Sequence, residues 1–371
     1  MLQQAGHHVV AYRRSNREIN ERSLLRRLTW VPKVIWAADT RRELAEILFR
    51  EHPQVVHIHN TFFRVSPSIY SACREARLPV VQTLHNYRLL CPAANFFRDG
   101  YVCEECLEHS LWRGVRHGCY RDCRPSTSVV ALMLAVHRWR RTWTQSVNCF
   151  IALSEFSRRK FIQGGIPADK IAVKPNFVHP DPGERVGLGQ YAVFVGRISP
   201  EKGSDTLVDS WKLLGRRIPL MIVGDGPLSP LLAAEAAQHG LSNVVLQGRL
   251  TRAETWRAIK GASFLIVPSG CYENLPMSVA EAFACGVPVI CSRLGTMPET
   301  VADGRTGLHI TPGDAADLAQ KVEWAWTHPE QMAEMGKEAR REYEAKYTAA
   351  RNYPMLMETY QRAIHSLQHS A

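Results

Sequence analysis

No Asp-x-Asp triplet occurs anywhere in the 371 residues, so the carboxylate pair that commonly holds a metal-bound diphosphate is missing. No apolar run reaches the roughly 18 residues needed for a helical membrane span. The first residues show no charged-then-apolar leader pattern, and the expectation is a cytoplasmic protein. No basic stretch interleaved with aromatics matches a nucleic-acid-binding motif, which argues against a nucleic-acid partner.

What is present is a globular composition, 45% hydrophobic, in a chain long enough for two separate cores. Its positive charge lies almost wholly in one half. Residues 1–180 carry 27 Lys and Arg against 14 Asp and Glu, whereas residues 181–371 carry 19 against 21. A basic domain beside a near-neutral one implies an anionic partner, either a membrane surface or a lipid-diphosphate acceptor. Val129–Val136 followed by His137-Arg138-Trp139-Arg140-Arg141-Thr142-Trp143 reads as apolar then basic with tryptophans. It suits a helix in a membrane interface, at its inner face, or a buried helix with a solvated end.

Short β-branched runs alternate with helical segments throughout, the pattern of parallel α/β sheets. Gln54–His59, Val80–His85, Cys149–Ser154 and Lys170–Lys174 read as strands of a first domain, with a helix near Pro67–Ala76. A Pro- and Gly-rich linker over 179–190 then leads to a second domain over 191–345. A last helix over 346–371 is expected to return to the first domain, residues 1–178.

The stretch Cys271–Ala282 carries the most chemical information. Glu273 and Glu281 flank Pro276, which suits the first helical position because its missing N–H is not needed there. Glu281 then lies about 7 Å along that helix. A helix start can hold a phosphate, and flanking carboxylates can accept hydrogen bonds from sugar hydroxyls. The same two glutamates would also suit a solvated face. Val193–Gly203 reads as a buried strand entering a loop that carries Arg197 and Lys202, followed by a helix over Ser204–Leu214. In open α/β sheets such loops, at the carboxyl ends of strands, bind ligands.

With Val223-Gly224-Asp225-Gly226-Pro227 and Leu294–Glu299 added, the chain resembles the family 4 retaining glycosyltransferases, most specifically over Tyr191–Asp314. The resemblance implies an α/β fold of two Rossmann-like domains facing across a cleft, the GT-B architecture. It implies a nucleotide-diphosphate sugar as donor and a glycan or lipid-linked acceptor, in polysaccharide or glycoconjugate biosynthesis. Arg197 and Lys202 would grip the diphosphate, Glu281 the ribose, and Glu273, with Asn274 and Leu275, the transferred sugar. Backbone near Gly248-Arg249 and Val267–Ser269 would meet the base, and the loop before Glu299 would cover the donor. His85, at the end of Val80–His85, would stabilise charge at the anomeric carbon. Two fixed cations can serve the leaving diphosphate with no catalytic metal.

Two regions depart from the family's pattern. Met1–Gly6 reads as a helix end and His7–Tyr12 as the strand after it, so the first strand and Gly-rich loop are missing and the first domain is expected to be truncated. A binding but inactive homologue is the alternative function. The second region is an insertion over residues 91–124 containing five of the ten cysteines. Cys103 and Cys106 have the spacing of a metal knuckle, and Cys91 and Cys119 would complete a structural zinc site of four thiolates; reduced free thiols are the other reading.

Overall fold

The computed structural model describes residues 1–15 and 31–368. Most strands form on the short apolar runs of the sequence. In chain order they begin with β1 (Val56–Ile58) and β2 (Val80–Thr83), then a small hairpin of β3 (Phe97–Arg98) and β4 (Tyr101–Val102). β5 (Cys149–Ala152) and β6 (Ile171–Val173) complete the first group. β1, β2, β5 and β6 pair in that order, all parallel. Parallel strands are covered on both faces, which is why β2 and β5 are wholly buried; β5 is apolar apart from its cysteine thiol, and the two polar residues of β2 are hydrogen-bonded, Gln82 to Tyr70 and Thr83 to His57.

The chain divides into two units. One comprises Met1–Phe96, Cys103–Lys174 and Tyr353–Ala371; the other comprises Phe97–Val102 and Pro175–Asn352. The tip of the insertion, β3 and β4, therefore groups with the second unit although its flanks belong to the first, where the sequence had placed the whole insertion. The helix Ala349–Gln368 supplies Leu356 and Ala363 to a cluster with Val81, Cys149 and Ile151 in the first unit.

The second unit is built on six parallel strands: β7 (Tyr191–Val195), β8 (Leu220–Val223), β9 (Val244–Gly248), β10 (Ala262–Val267), β11 (Val289–Ser292) and β12 (Gly307–Ile310). Their spatial order is β12-β11-β10-β7-β8-β9. The chain starts in the middle, winds out through β8 and β9, then returns to the other side of β7. The crevice between the carboxyl ends of β7 and β10 is thus a topological switch point, where ligands bind in such sheets. Trp211, Phe264 and Phe283 are fully buried, and a buried side chain of this class stabilises by about 1.5–3 kcal/mol. The Trp211 indole N–H is satisfied by the Ile218 carbonyl at 2.9 Å.

Several local expectations change. The helix after Arg197 spans Ser204–Leu214 as read, but Pro276 is the cap before the helix Met277–Ala284 rather than its first residue. Its extended backbone (φ −61°, ψ 129°) turns the preceding loop into the helix. His7–Tyr12 forms no strand. That segment carries no ladder, and its side chains bond elsewhere, His7 to Tyr353 and Tyr12 to Glu43, both at 2.8 Å. Of the two tryptophans expected at a membrane interface, Trp139 is 83% exposed but Trp143 is buried at 5%. The apolar stripe of the helix Arg124–Trp139 is core, with Val130, Ala131, Met133 and Leu134 buried.

Candidate functional site

β7 ends at Val195, and the chain passes through a single 3-10 turn, Pro200–Lys202, before the helix Ser204–Leu214. Gly203 closes that turn at φ +68°, and any Cβ there would stand 2.0 Å from the Pro268 carbonyl oxygen. Only glycine lets the loop after β7 pack this closely on the loop after β10. The close approach brings Lys202 to Glu273.

Nζ of Lys202 lies 2.5 Å from Glu273 Oε1, which also accepts from Ser269 Oγ at 2.7 Å. Glu273 is 9% exposed and Asn274 7%, and the Asn274 side-chain oxygen has no partner among the described residues. Burial acts to lower the Lys202 pKa, but Glu273 and neighbouring Cys271 and Glu201 outweigh it, and the net direction is upward. The Leu275 carbonyl accepts from Asn176 at 3.1 Å, anchoring the start of the next helix.

On that helix, Glu281 accepts from Trp256 Nε1 at 3.2 Å, and Arg252 Nε lies 3.9 Å from the same oxygen. Burial raises the Glu281 pKa, while the indole bond and Arg252 work in the opposite direction. Glu273 and Glu281 thus occupy different settings: one bound to a lysine in the loop, the other braced by an indole.

Arg197, Gly196, Gly224–Pro227 and Arg249 line an open recess of about 760 Å³ at the carboxyl ends of β7, β8 and β9. That size suits a small-molecule ligand. Gly224 (φ +138°) packs against Gly196, where a Cβ would meet the carbonyl oxygen at 1.8 Å. Arg249 pairs with Asp225 at 3.4 Å across the recess, and its side chain is 74% exposed. Gly248, at φ +69°, turns the chain between β9 and Arg249. The structure therefore gathers Arg197, Gly248 and Arg249 in one place, and Lys202, Glu273, Asn274 and Leu275 in a neighbouring loop of the same sheet edge. After β11, Gly295 and Thr296 lead into a short helix, Met297–Thr300, which contains Glu299.

His85 belongs to the first unit. It follows β2, and its Nε2 is 2.9 Å from Nδ1 of His59, which stacks on His57 at 4.3 Å between ring centroids. His57 in turn bonds Thr83 Oγ at 2.7 Å and Tyr360 Oη at 2.8 Å. Burial, then His59 and Lys174, lower the His85 pKa to about 4; burial lowers His57 to about 3, with His59, Lys174 and His85 adding to it. These imidazoles are neutral at neutral pH. The sequence singled out only His85, although His57 and His59, two apart at the end of β1, were legible as a pair on one face of a strand.

The cysteines do not assemble as expected. Cys91, Cys103 and Cys119 lie within electrostatic reach of Cys106, but among the described residues no three or more His, Cys, Asp or Glu side chains are arranged to hold a metal ion. Burial, reinforced by Cys91, raises the Cys106 thiol to about 12. Each of the ten cysteines is a thiol rather than half of a disulfide. Trp256 and Arg252 went unread, and so did the side-chain partners of Ser269 and Asp225, because these contacts join loops apart in sequence.

Two family profiles tile the chain: Glycosyltransferase Family 4 over residues 1–182 and Glycosyl transferases group 1 over residues 184–342. The chain is related to both glycosyltransferase families. Its two-domain, Rossmann-like α/β architecture is the GT-B fold. Among solved structures it is similar to HepE of Anabaena in complex with UDP, with TM-score 0.67 and 19% identity, over 86% of this chain and 81% of that one. A glycosyltransferase from Rickettsia africae aligns with TM-score 0.65 and 15% identity over 98% of this chain and 86% of that one. By sequence it is 35% identical over 162 residues to the D-rhamnosyltransferase WbpZ of Pseudomonas aeruginosa, covering 43% of this chain and 42% of that protein. It is 34% identical over 184 residues to a GDP-mannose-dependent phosphatidylinositol monomannoside mannosyltransferase of Mycolicibacterium smegmatis, covering 46% of this chain and 48% of that protein. The chain thus spans about half the length of the curated relatives it matches. No described helix is long and apolar enough to cross a membrane.

Proposed function

We propose that this protein transfers a hexosyl group, with retention and without a catalytic metal, from a nucleoside-diphosphate sugar to a glycan or lipid-linked acceptor. The observation that carries this reading is the meeting of Lys202, Ser269 and Glu273 at the switch point between β7 and β10. There a cation suited to phosphate faces a carboxylate suited to sugar hydroxyls.

In this reading Arg197 and Lys202 take the diphosphate and neutralise the charge that builds on it as the glycosidic bond breaks. Lys202 exchanges Glu273 for phosphate oxygens, and the released carboxylate, with Asn274 and the Leu275 backbone, accepts hydroxyls of the transferred sugar. Glu281 holds the ribose, while Gly248, Arg249 and the backbone of Val267–Ser269 meet the base. The bond to the sugar breaks on the face where the acceptor attacks, and the departing phosphate takes the acceptor proton. His85, neutral near pH 7, offers a lone pair to the developing oxocarbenium without adding positive charge. No covalent nucleophile is assigned to Glu273.

The relatives' rhamnosyl and mannosyl transfers favour a hexose and a glycan or glycolipid acceptor. The excess of basic residues in residues 1–180 and exposed Trp139 beside Arg140 and Arg141 favour work at an anionic membrane surface.

Calorimetric titration in EDTA with UDP, GDP and their sugar conjugates tests the donor site. One nucleotide should bind, and Glu281→Ala should weaken it by roughly tenfold or more, the scale of losing charge-assisted hydrogen bonds. A folded protein that binds none of them removes this reading. Binding without sugar transfer to any lipid-linked or glycan acceptor would instead favour a binding homologue.

A further inference from the structure

The helix Arg252–Lys260 belongs to no motif, yet it supplies every side chain that contacts the Glu281 carboxylate among the described residues. A capping box fixes its start: Thr251 accepts from the Glu254 backbone, and the Glu254 side chain accepts from Thr251. Thr255, Ala258 and Ile259 bury its inner face. Trp256 is thereby held rigidly beside the helix that carries Glu281.

The contacts fall on one oxygen. Trp256 Nε1 donates to Oε1 at 3.2 Å, and Arg252 Nε is 3.9 Å from Oε1. The Arg252 guanidinium also lies 4.5 Å over the Trp256 ring, a cation–π stack that holds the indole from its outer side. No described residue bonds Oε2. An ionised carboxylate has about four lone-pair sites, and the indole takes one. A neutral, directional donor therefore fixes the plane of the carboxylate while leaving it able to accept from two adjacent hydroxyls. Arg252, half-exposed at 51%, stands as a competing donor that would draw the carboxylate towards solvent if the indole bond were lost.

We propose that Trp256 is a positioning residue for ribose recognition, orienting Glu281 towards the cis-diol of the donor and making the site select ribonucleotides over deoxyribonucleotides. The inference rests on the donor-site reading of Glu281 and extends it to a residue outside every motif.

The test is titration of the full chain with UDP, GDP, 2′-deoxy-UDP and 2′-deoxy-GDP, for wild type, Trp256→Phe and Glu281→Gln. Phenylalanine keeps an aromatic ring at the position and removes the N–H together with the second ring of the indole. Wild type should prefer the ribonucleotide by about tenfold or more, the scale of charge-assisted bonds to a hydroxyl. In Trp256→Phe the preference should fall to about threefold or less, because the ribonucleotide loses two hydroxyl bonds while the deoxynucleotide loses only the one from its 3′-hydroxyl and weakens less. Glu281→Gln should lose the preference likewise. A Trp256→Phe protein with the full ribose preference overturns the proposal. So does one that loses both ligands equally, since that marks a general structural role. Wild type that binds no nucleoside diphosphate overturns the donor-site reading itself, a result distinct from either.

Discussion

Lys202 and Glu273 come from the loops after β7 and β10, the two strands at which the sheet order reverses, and they meet at 2.5 Å. The cation assigned to the donor diphosphate is therefore already neutralised by the carboxylate assigned to the donor sugar. Neither group has to be desolvated afresh when a ligand arrives; phosphate oxygens replace one carboxylate oxygen at Nζ. Lys202→Ala should lower kcat/KM for sugar transfer on the order of 10²-fold or more, the scale of one electrostatic stabiliser. Steady-state assays with a radiolabelled donor would read this, and near-normal transfer would refute the diphosphate assignment.

The same contact makes a demand on the backbone. Gly203→Ala places a methyl 2.0 Å from the Pro268 carbonyl and forces a side chain into φ +68°. The loops after β7 and β10 must then separate. We expect a loss of about 2 kcal/mol or more in urea unfolding, together with weaker nucleotide binding. Unchanged stability would show that the loops can part without penalty.

Acid sensitivity should arise in the first unit. His57 has a folded pKa of about 3, against an ordinary value near 6.5. Between those values the unfolded chain binds a proton that the folded chain refuses. Its contribution is therefore present in full above pH 6.5 and is lost as pH falls from there through about 3. Between pH 7 and 5 this amounts to at most about 2 kcal/mol. Denaturant unfolding of wild type and His57→Gln at both pH values should show a smaller drop in the variant. Parallel drops would contradict this origin.

Chelation bears on both metal readings. Dialysis against EDTA should leave transfer rate and unfolding midpoint unchanged, because Arg197 and Lys202 are assigned to the phosphates and the cysteine cluster forms no metal site among the described residues. A fall in rate restored by magnesium would overturn the metal-free mechanism, and a fall in midpoint restored by zinc would reinstate the structural site.

The strands and the helix Ser204–Leu214 were legible because their signals are local: apolar runs bounded by Pro and Gly, and a glycine at each turn. The loops assigned to the donor were singled out for a related reason, since Arg197, Lys202, Glu273 and Glu281 sit within motifs at fixed offsets from strand ends. Partner choice was not. Nothing local to Trp256 says that its indole reaches Glu281, 25 positions away, or that Ser269 turns onto Glu273. The cysteine spacing misled because two positions three apart fix sequence, whereas a metal needs several thiolates at one point. The strand expected at His7–Tyr12 failed because a β-branched run becomes a strand only where a ladder partner stands beside it.

The path of the chain limits how this protein can be divided or recombined. The first unit draws on three separated stretches, the last of them starting at Tyr353, and the second includes a six-residue excursion, Phe97–Val102, borrowed from the middle of the first. A cut at Lys174–Pro175 would strip the Val81, Cys149 and Ile151 cluster of Leu356 and Ala363, and His57 of its bond to Tyr360. Exchanging donor halves between relatives is consequently not a matter of joining two gene fragments at one point. The graft must carry the hairpin with it and leave the terminal helix behind, so the smallest interchangeable cassette is discontinuous in the gene.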